Sequence, residues 1–198
     1  MGFSRHKSET GESATSQEAL ENLLLARVAK RDRDALSEVY ARFQRPLFRY
    51  LFYLLGQKEL AEDILQEVMV IIWQKAHTFR GATAASWIFG IAHHQAFKAL
   101  RRDASATLVD LQVALDLPDE APGPETDLLR QATYQELARA LTCLTPEHRE
   151  VLELAFFQDF EGKEIATIVG IPLGTVKSRL SYARRALKAA LLRNGWEA

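Results

Sequence analysis

Residues 162–188 read GKEIATIVGIPLGTVKSRLSYARRALK, and this stretch decides the C-terminal part of the fold. A short amphipathic segment, 161–169, stops at Gly170, and a longer segment with helical apolar spacing, 173–193, follows two residues later. A short helix, a tight turn with glycine and a longer basic helix are typical of a helix-turn-helix. The sequence therefore predicts this motif, with 173–193 as the helix that enters a DNA groove.

The longer helix has a core side and an exposed side. Its apolar residues recur at intervals of three and four: Val176, Leu180, Ala183 and Leu187. Polar and aromatic residues lie together on the opposite side: Thr175, Ser178, Arg179 and Tyr182. Three cations flank them: Lys177, Arg184 and Lys188. We expect the flanking cations to contact phosphates and the exposed side to contact base edges, with Arg179 as the best reader of guanine.

Charge is unevenly distributed along the chain. The total is 25 basic and 26 acidic residues, a net charge of -1. Residues 1–102 carry 15 basic and 11 acidic side chains. Residues 103–130 carry one basic and seven acidic side chains, and residues 131–198 carry nine basic and eight acidic ones. Six of those last cations lie within 165–196, which contains no acid. Two basic-leaning modules therefore flank an acidic connector, and each module is a candidate for binding a polyanion.

Composition excludes several classes of protein. The chain has 198 residues, of which 47% are hydrophobic and 26% charged, as in ordinary globular proteins of one or two domains. The apolar run 68–73 is far shorter than the roughly 20 residues of a membrane span. The single cysteine, Cys143, excludes a disulfide framework and is expected to be buried. The N-terminus lacks the apolar core of a signal peptide, so we predict a cytoplasmic protein without membrane insertion.

Helical periodicity extends through the rest of the chain. We predict helices at 17–31, 34–55, 58–77 and 84–102, then at 128–143, 146–158, 161–169 and 173–193. Residues 1–16 are expected to be disordered, and the proline-containing segment 103–127 is expected to be a flexible acidic linker. The predicted fold is all-α, with two small helical bundles, 17–102 and 128–198, joined by that linker.

Several motifs resemble those of a known family. Residues 61–67 (AEDILQE), followed by Ile72-Trp73, are similar to the polymerase-binding helix in region 2 of bacterial sigma factors. Residues 79–81 (FRG) with the helix at 87–92 resemble the promoter-melting segment of that region, and residues 162–184 resemble region 4. The order of the two modules and the short linker resemble the extracytoplasmic-function (ECF, RpoE-like) group.

The resemblance implies a function and a set of partners. A sigma factor binds core RNA polymerase, through the clamp helices of the β′ subunit and the β flap, and recognises the −35 element as duplex and the −10 element as opened strand. Polymerase contacts would come from Asp63, Gln66, Glu67 and Trp73. Contacts to the −10 element would come from Phe79, Arg80, Gly81, Trp87, His93, Lys98, Arg101 and Arg102. Contacts to the −35 element would come from Thr175, Lys177, Ser178, Arg179, Tyr182, Arg184 and Lys188.

The same resemblance implies regulation by an anti-sigma factor that covers both modules. No catalytic residue, cofactor or metal is expected. Two positions depart from the family pattern: His93-His94 replaces an Arg-Asn pair, and Tyr182 follows Ser181 where an arginine is common. We expect DNA contacts to differ at these positions.

Other interpretations remain open from the residues alone. A stand-alone helix-turn-helix regulator with an N-terminal dimerisation domain would bind palindromic DNA without polymerase. An enzyme with a histidine-based site has little support, because no nucleophile-base pair or phosphate-binding glycine loop is present. The histidine pair lacks the spacing of a metal site. The acidic linker is also a candidate mimic of nucleic acid near the polymerase channels.

Overall fold

The computed structural model describes residues 9–80, 83–102, 140–141 and 143–193, with side chains from residue 16 onward. Within these ranges all regular structure is helical, which confirms the predicted all-α class. None of the described helices combines the length and apolar character needed to cross a membrane. The predicted linker 103–127 lies outside the described residues, as do Gly81 and almost all of the predicted helix 128–143.

Four helices and one short 3₁₀ turn form the N-terminal module. They are α1 (Glu9–Ala29), α2 (Arg33–Leu55), α3 (Lys58–Lys75), the 3₁₀ turn Ala76–Thr78 and α4 (Ala84–Arg102). The side chain of Asp32 caps α2 by accepting a hydrogen bond from the N–H of Ala35 at 3.0 Å. Gly56 ends α2 in the left-handed conformation, at φ 71°, which glycine adopts without steric cost. These end signals explain why the predicted boundaries of α2 agree closely with the structure.

Helix α1 differs from its prediction at its start and on its buried side, because helical spacing predicts an apolar stripe of Leu20, Leu23, Leu24 and Val28. It begins at Glu9, so residues 9–16, which were expected to be disordered, are helical; residues 1–8 lie outside the described part. Leu24, Leu25 and Val28 are buried, whereas Leu23 is 59% exposed. The buried stripe also includes Glu21, whose carboxylate pairs with Arg42 at 3.3 Å. Because an acidic residue, Glu21, lies on the buried side of α1, apolar spacing alone did not identify that side.

Three helices form the described part of the C-terminal module. They are α5 (Pro146–Phe156), α6 (Gly162–Val169) and α7 (Leu173–Arg193). Pro146 occupies the first turn of α5, and the Glu164 carboxylate accepts a hydrogen bond from the N–H of Glu161 at the start of α6. Gly170, at φ 70°, ends α6 and turns the chain into α7. The predicted helix-turn-helix is confirmed. Cys143 is exposed in the turn before α5, so the prediction that it is buried was wrong.

The two modules pack against each other through a continuous apolar core. Helix α5 lies on α2, and α6 lies on α4. Phe89 of α4 meets Phe160 edge-on at 5.1 Å, and Tyr53 of α2 stacks on Phe157 at 5.8 Å. The contact between the two helical modules is a feature that the periodicity of the sequence could not indicate.

Candidate nucleic-acid interface

The exposed side of α7 is built as the sequence predicts. Val176 and Ala183 are fully buried, and Leu180 and Leu187 are partly buried against the same core. The opposite side presents Ser178 and Tyr182 to solvent, with Thr175 and Arg179 half-buried beside them. Ser178 donates a hydrogen bond to the carbonyl of Thr175 at 2.9 Å, which orients its hydroxyl along the helix. The core side thus holds α7 so that its first turns face outward.

The N-terminal turn of α5 adds two residues to this surface. The ring of His148 packs against that of Tyr182 with centroids 4.4 Å apart, and its Nδ1 lies 2.9 Å from the Thr145 hydroxyl. Burial opposes ionisation of Glu147, but hydrogen bonds from its own backbone N–H and from Thr145, together with the charge of Arg179, lower its pKa overall. Neither Glu147 nor His148 was predicted to belong to this surface. They lie more than 30 positions before Arg179 and Tyr182 in the sequence, and no periodicity connects residues so far apart.

The flanking cations of α7 are exposed, as expected for phosphate contacts. They are Lys177, Arg184 and Lys188. The guanidinium of Arg184 lies over the ring of Phe156, 4.9 Å from its centroid. Phe156 is itself 52% exposed, so this cation–π contact holds Arg184 at the surface without burying its charge.

A second candidate surface lies in the N-terminal module, where the 3₁₀ turn meets α4. The rings of Phe79 and Trp87 meet edge-on at 5.8 Å, and both are partly buried against the core. Arg80 is exposed and donates to the carbonyls of His77 and Phe79 at 2.9 and 2.7 Å. Gly81 lies outside the described residues. An aromatic pair beside a cation suits stacking with an unpaired base.

The predicted strand-binding residues of α4 do not all share one face. Trp87, Lys98 and Arg101 recur at intervals of eleven and three residues, which places them on one side of the helix with the exposed His94. Arg102 is exposed next to them. His93 is about 100° further round the helix. It is mostly buried, and its Nδ1 lies 2.6 Å from the Glu150 carboxylate of the other module. His94, which the sequence analysis did not select, fits this face by the same spacing rule.

A third candidate surface is the outer face of α3. Asp63, Gln66 and Glu67 are exposed there as predicted, and Val70 lies among them with 53% of its surface exposed. Val70 was missed because it belongs to the apolar run 68–73, although its spacing of seven from Asp63 indicates this face. Trp73 lies at the edge, partly buried, and the guanidinium of Arg31 covers its ring at 5.2 Å.

The contact between the modules contains a cluster of buried charges. The Glu150 carboxylate is fully buried and accepts hydrogen bonds from the Tyr50 hydroxyl at 2.5 Å and from His93 at 2.6 Å. Burial, with Glu150 nearby, raises the pKa of Tyr50 well above its usual range, so Tyr50 remains a donor. Arg149, 4% exposed, donates to the carbonyl of Tyr53 at 3.0 Å.

Glu153 completes this cluster, one turn further along α5. Its side chain is 2% exposed and lies 3.6 Å from Nε of Arg49. Burial raises its pKa to about 7, although Arg49 and Gln158 act in the opposite direction. Among the described residues, no group of three or more histidine, cysteine or acidic side chains is arranged to hold a metal ion.

Comparisons with known proteins identify the family. The Sigma-70 region 2 family matches residues 39–106, and Sigma-70 region 4 matches residues 140–189. The ECF RNA polymerase sigma factor RpoE of Cereibacter sphaeroides is 35% identical over 155 residues, which are 77% of this chain and 84% of that protein. This chain belongs to the ECF sigma factors. ECF sigma factor SigL of Mycobacterium tuberculosis is 31% identical over 147 residues, 73% of this chain and 82% of its own length.

Solved sigma-factor structures share the fold. CnrH, in complex with the cytosolic domain of CnrY, aligns over 89% of this chain and 99% of its own, with a TM-score of 0.66 and 20% identity. RpoE of Bartonella quintana, in complex with the anti-sigma factor NepR, aligns over 80% and 99%, with a TM-score of 0.58 and 24% identity. Membership of the ECF group confirms the predicted family and makes the chain a transcription initiation factor and not an enzyme.

Proposed function

We propose that this ECF sigma factor binds core RNA polymerase in the cytoplasm and directs it to promoters through three separate surfaces. The observation that carries the proposal is the exposed polar side of α7, which the helix-turn-helix core holds outward. The outer face of α3 and the aromatic pair at the start of α4 supply the other two surfaces.

The C-terminal module reads the −35 element as duplex. Arg179, Ser178 and Thr175 reach base edges in the major groove, while Lys177, Arg184 and Lys188 contact phosphates. Tyr182, backed by His148, presents its free ring face and hydroxyl to the DNA. Because a tyrosine replaces the arginine common in the family, this contact is a hydroxyl bond or a stacking contact and not a bidentate one.

The N-terminal module binds the opened −10 strand. Phe79, Arg80 and Gly81 receive an unpaired base, and Trp87, Lys98, Arg101 and Arg102 continue the path along α4. His94 shares this face of α4, so it belongs to the proposed strand path. His93 was also predicted here, and it reaches the strand only when the contact with Glu150 is broken.

Polymerase binds mainly to the outer face of α3. Asp63 and Glu67 provide charge and Gln66 an amide for a basic partner surface, the clamp helices of the β′ subunit. Val70 supplies an exposed apolar centre, and Trp73 borders the contact. The C-terminal module contacts the β flap. An anti-sigma factor holds the protein inactive by covering these faces. In support, the similar sigma factor RpoE of Bartonella quintana was solved in complex with the anti-sigma factor NepR.

A footprinting experiment tests the proposal. The protein, core polymerase or both are mixed with promoter fragments from the source organism, and protected positions are mapped. We expect protection of two separated elements only when both are present. Protection of a palindromic site by the protein alone would favour the stand-alone regulator instead.

A further inference from the structure

Arg31 adopts a backbone conformation that usually requires glycine. It follows α1 at φ 68°, in the left-handed region. Two hydrogen bonds close the helix there as a Schellman motif: the N–H of Asp32 donates to the carbonyl of Arg27 at 3.2 Å, and the N–H of Arg31 donates to the carbonyl of Val28 at 2.9 Å. Glycine adopts this conformation without steric cost, whereas a residue with a Cβ is strained in it. The strain directs attention to what the Arg31 side chain does.

The side chain of Arg31 reaches the C-terminal end of α3. Its guanidinium donates a hydrogen bond to the carbonyl of Trp73 at 2.8 Å and lies over the ring of the same residue, 5.2 Å from the centroid. Carbonyls in the last turn of a helix lack intrahelical donors, and a cation beside them interacts favourably with the helix dipole. Arg31 therefore holds the end of α3, from which the 3₁₀ turn leads directly to Phe79.

Asn22 of α1 makes the corresponding contact at the start of α4. Its Oδ1 accepts a hydrogen bond from the N–H of Ala84 at 2.8 Å. The first N–H groups of a helix lack intrahelical acceptors, and the residue just before the helix usually supplies one. Thr83 does so for the N–H of Ser86 at 3.2 Å, whereas Asn22 comes from 62 residues before Ala84. Asn22 therefore holds the first turn of α4, which carries Trp87.

The two anchors lie on either side of the aromatic pair. Phe79 follows the 3₁₀ turn and Trp87 belongs to α4, so the two rings come from different elements. They meet edge-on with centroids 5.8 Å apart. Their separation depends on where α3 ends and where α4 starts, and α1 packs against both the 3₁₀ turn and α4. Arg31 and Asn22 connect these two points to a single helix.

We propose that Asn22 and Arg31 are positioning residues for the unpaired −10 base, because they fix the Phe79–Trp87 pair against which that base stacks. This inference rests on the proposed function. Stacking alone accepts any base, so selectivity depends on the fixed shape of the pocket around it. Such a shape is maintained only when supporting residues hold the contact side chains in place. Loss of either anchor should therefore reduce selectivity between bases.

Three variants separate this role from a general contribution to folding. Asn22→Ala removes the acceptor at the start of α4, whereas Asn22→Asp retains one, and a carboxylate suits a helix start. Arg31→Gly removes the side chain but relieves the left-handed backbone, so the contact with Trp73 is lost without added backbone strain. Gln17→Ala and Lys30→Ala are the matched controls, an exposed amide of α1 and an exposed cation next to Arg31.

Base selectivity is measured on the holoenzyme, with core polymerase at saturating concentration. The template has a duplex −35 element and a single-stranded −10 element from a promoter that this protein transcribes, and each −10 position carries each of the four bases in turn. A 2-aminopurine at the most selective position reports unstacking of the base by its fluorescence. Melting temperatures of the free variants are measured alongside.

We expect the preference for one base at one −10 position to fall roughly 3- to 10-fold in Asn22→Ala and in Arg31→Gly, the usual effect of one hydrogen bond. The 2-aminopurine fluorescence of the bound template should fall with it. Asn22→Asp and both controls should behave like the unaltered chain, and affinity for a −35 duplex should not change in any variant.

Three results would contradict the inference. Unchanged base preference in a folded variant would overturn the assignment of that residue, and Arg31→Gly keeps the test decisive if Asn22→Ala does not fold. Equal weakening on all templates, with a lower melting temperature, would make the two residues supports of the fold and not of the pocket. Absence of any base preference in the unaltered holoenzyme would refute the proposed function, and the inference with it.

Discussion

The rings of His148 in α5 and Tyr182 in α7 pack with their centroids 4.4 Å apart and their planes tilted by 32°. This contact joins α7, the helix proposed to read bases, to α5, which lies before the helix-turn-helix in the sequence. Tyr182 remains 52% exposed, so one ring face is supported while the other is available to DNA. The reading surface of the C-terminal module is therefore a two-helix surface.

The stacking makes His148 a positioning residue for promoter discrimination. His148→Ala should reduce discrimination at the base opposite Tyr182 by about 0.5–1.5 kcal/mol, the usual value of an aromatic pair. His148→Phe should restore it by replacing the ring. Competition between −35 duplexes that differ at single positions measures the effect. His77→Ala is the control; if it changed discrimination equally, the stacking would have no specific role.

Arg179 is expected to read a base edge. Arg179→Ala should cost about 1–3 kcal/mol of discrimination at one position of the −35 element, because a bidentate contact to guanine is lost. Arg193→Ala provides a control on the same helix, about 21 Å away along its axis. Affinities for a panel of duplexes decide the question: uniform weakening across all sequences would make Arg179 a phosphate contact.

The acidic face of α3 is expected to bind polymerase. Asp63→Arg with Glu67→Arg should abolish binding to core polymerase, because both residues are exposed and the reversal places cations against a basic surface. Glu18→Arg with Asp34→Arg makes the same change in net charge on other helices of the module. Circular dichroism checks folding and a pull-down measures binding. Binding by the α3 variant equal to that of the control would remove this face from the interface.

Glu153 should make stability depend on pH. Folding raises the pKa of this carboxyl from 4.5 to about 7, so the folded state binds more protons than the unfolded state between these values. The neutral Glu153 carboxyl therefore contributes to the free energy of unfolding at low pH, and this contribution is lost as the pH rises from 4.5 to about 7. Glu153→Gln mimics the neutral carboxyl and should stabilise the protein at pH 8 by up to about 3 kcal/mol.

Urea unfolding at two pH values measures this effect. The advantage of Glu153→Gln over the unaltered chain should disappear below about pH 4, where the carboxyl is neutral in both the folded and the unfolded state. An advantage of equal size at both pH values would indicate a packing effect and contradict the electrostatic account.

Local signals explain how much of the fold was predictable. Asp32, Gly56, Pro146 and Gly170 fix helix ends through capping and backbone geometry, which depend on a few neighbouring residues. The apolar spacing of α7 likewise predicted which side is buried. Helix α1 was less predictable, because an acid, Glu21, occupies its core side through a long-range pair with Arg42.

Contacts between distant segments account for what sequence reasoning missed. Glu150 is buried because Tyr50 and His93, 100 and 57 residues earlier, donate to it. As a glutamate on an amphipathic helix, it would ordinarily be assigned to the solvent side. His93 was assigned to the DNA path for a similar reason: its partner is visible only in three dimensions, whereas its neighbour His94 fits the strand-facing side of α4.

Run-off transcription with purified core polymerase, with and without this protein, on a library of genomic promoters tests the central claim most directly. We expect new start sites that depend on the protein, with an alignment that contains two elements at a constant spacing, and loss of these transcripts with Asp63→Arg and Glu67→Arg. An unchanged set of transcripts, from a protein that is folded and binds DNA alone, would contradict the account.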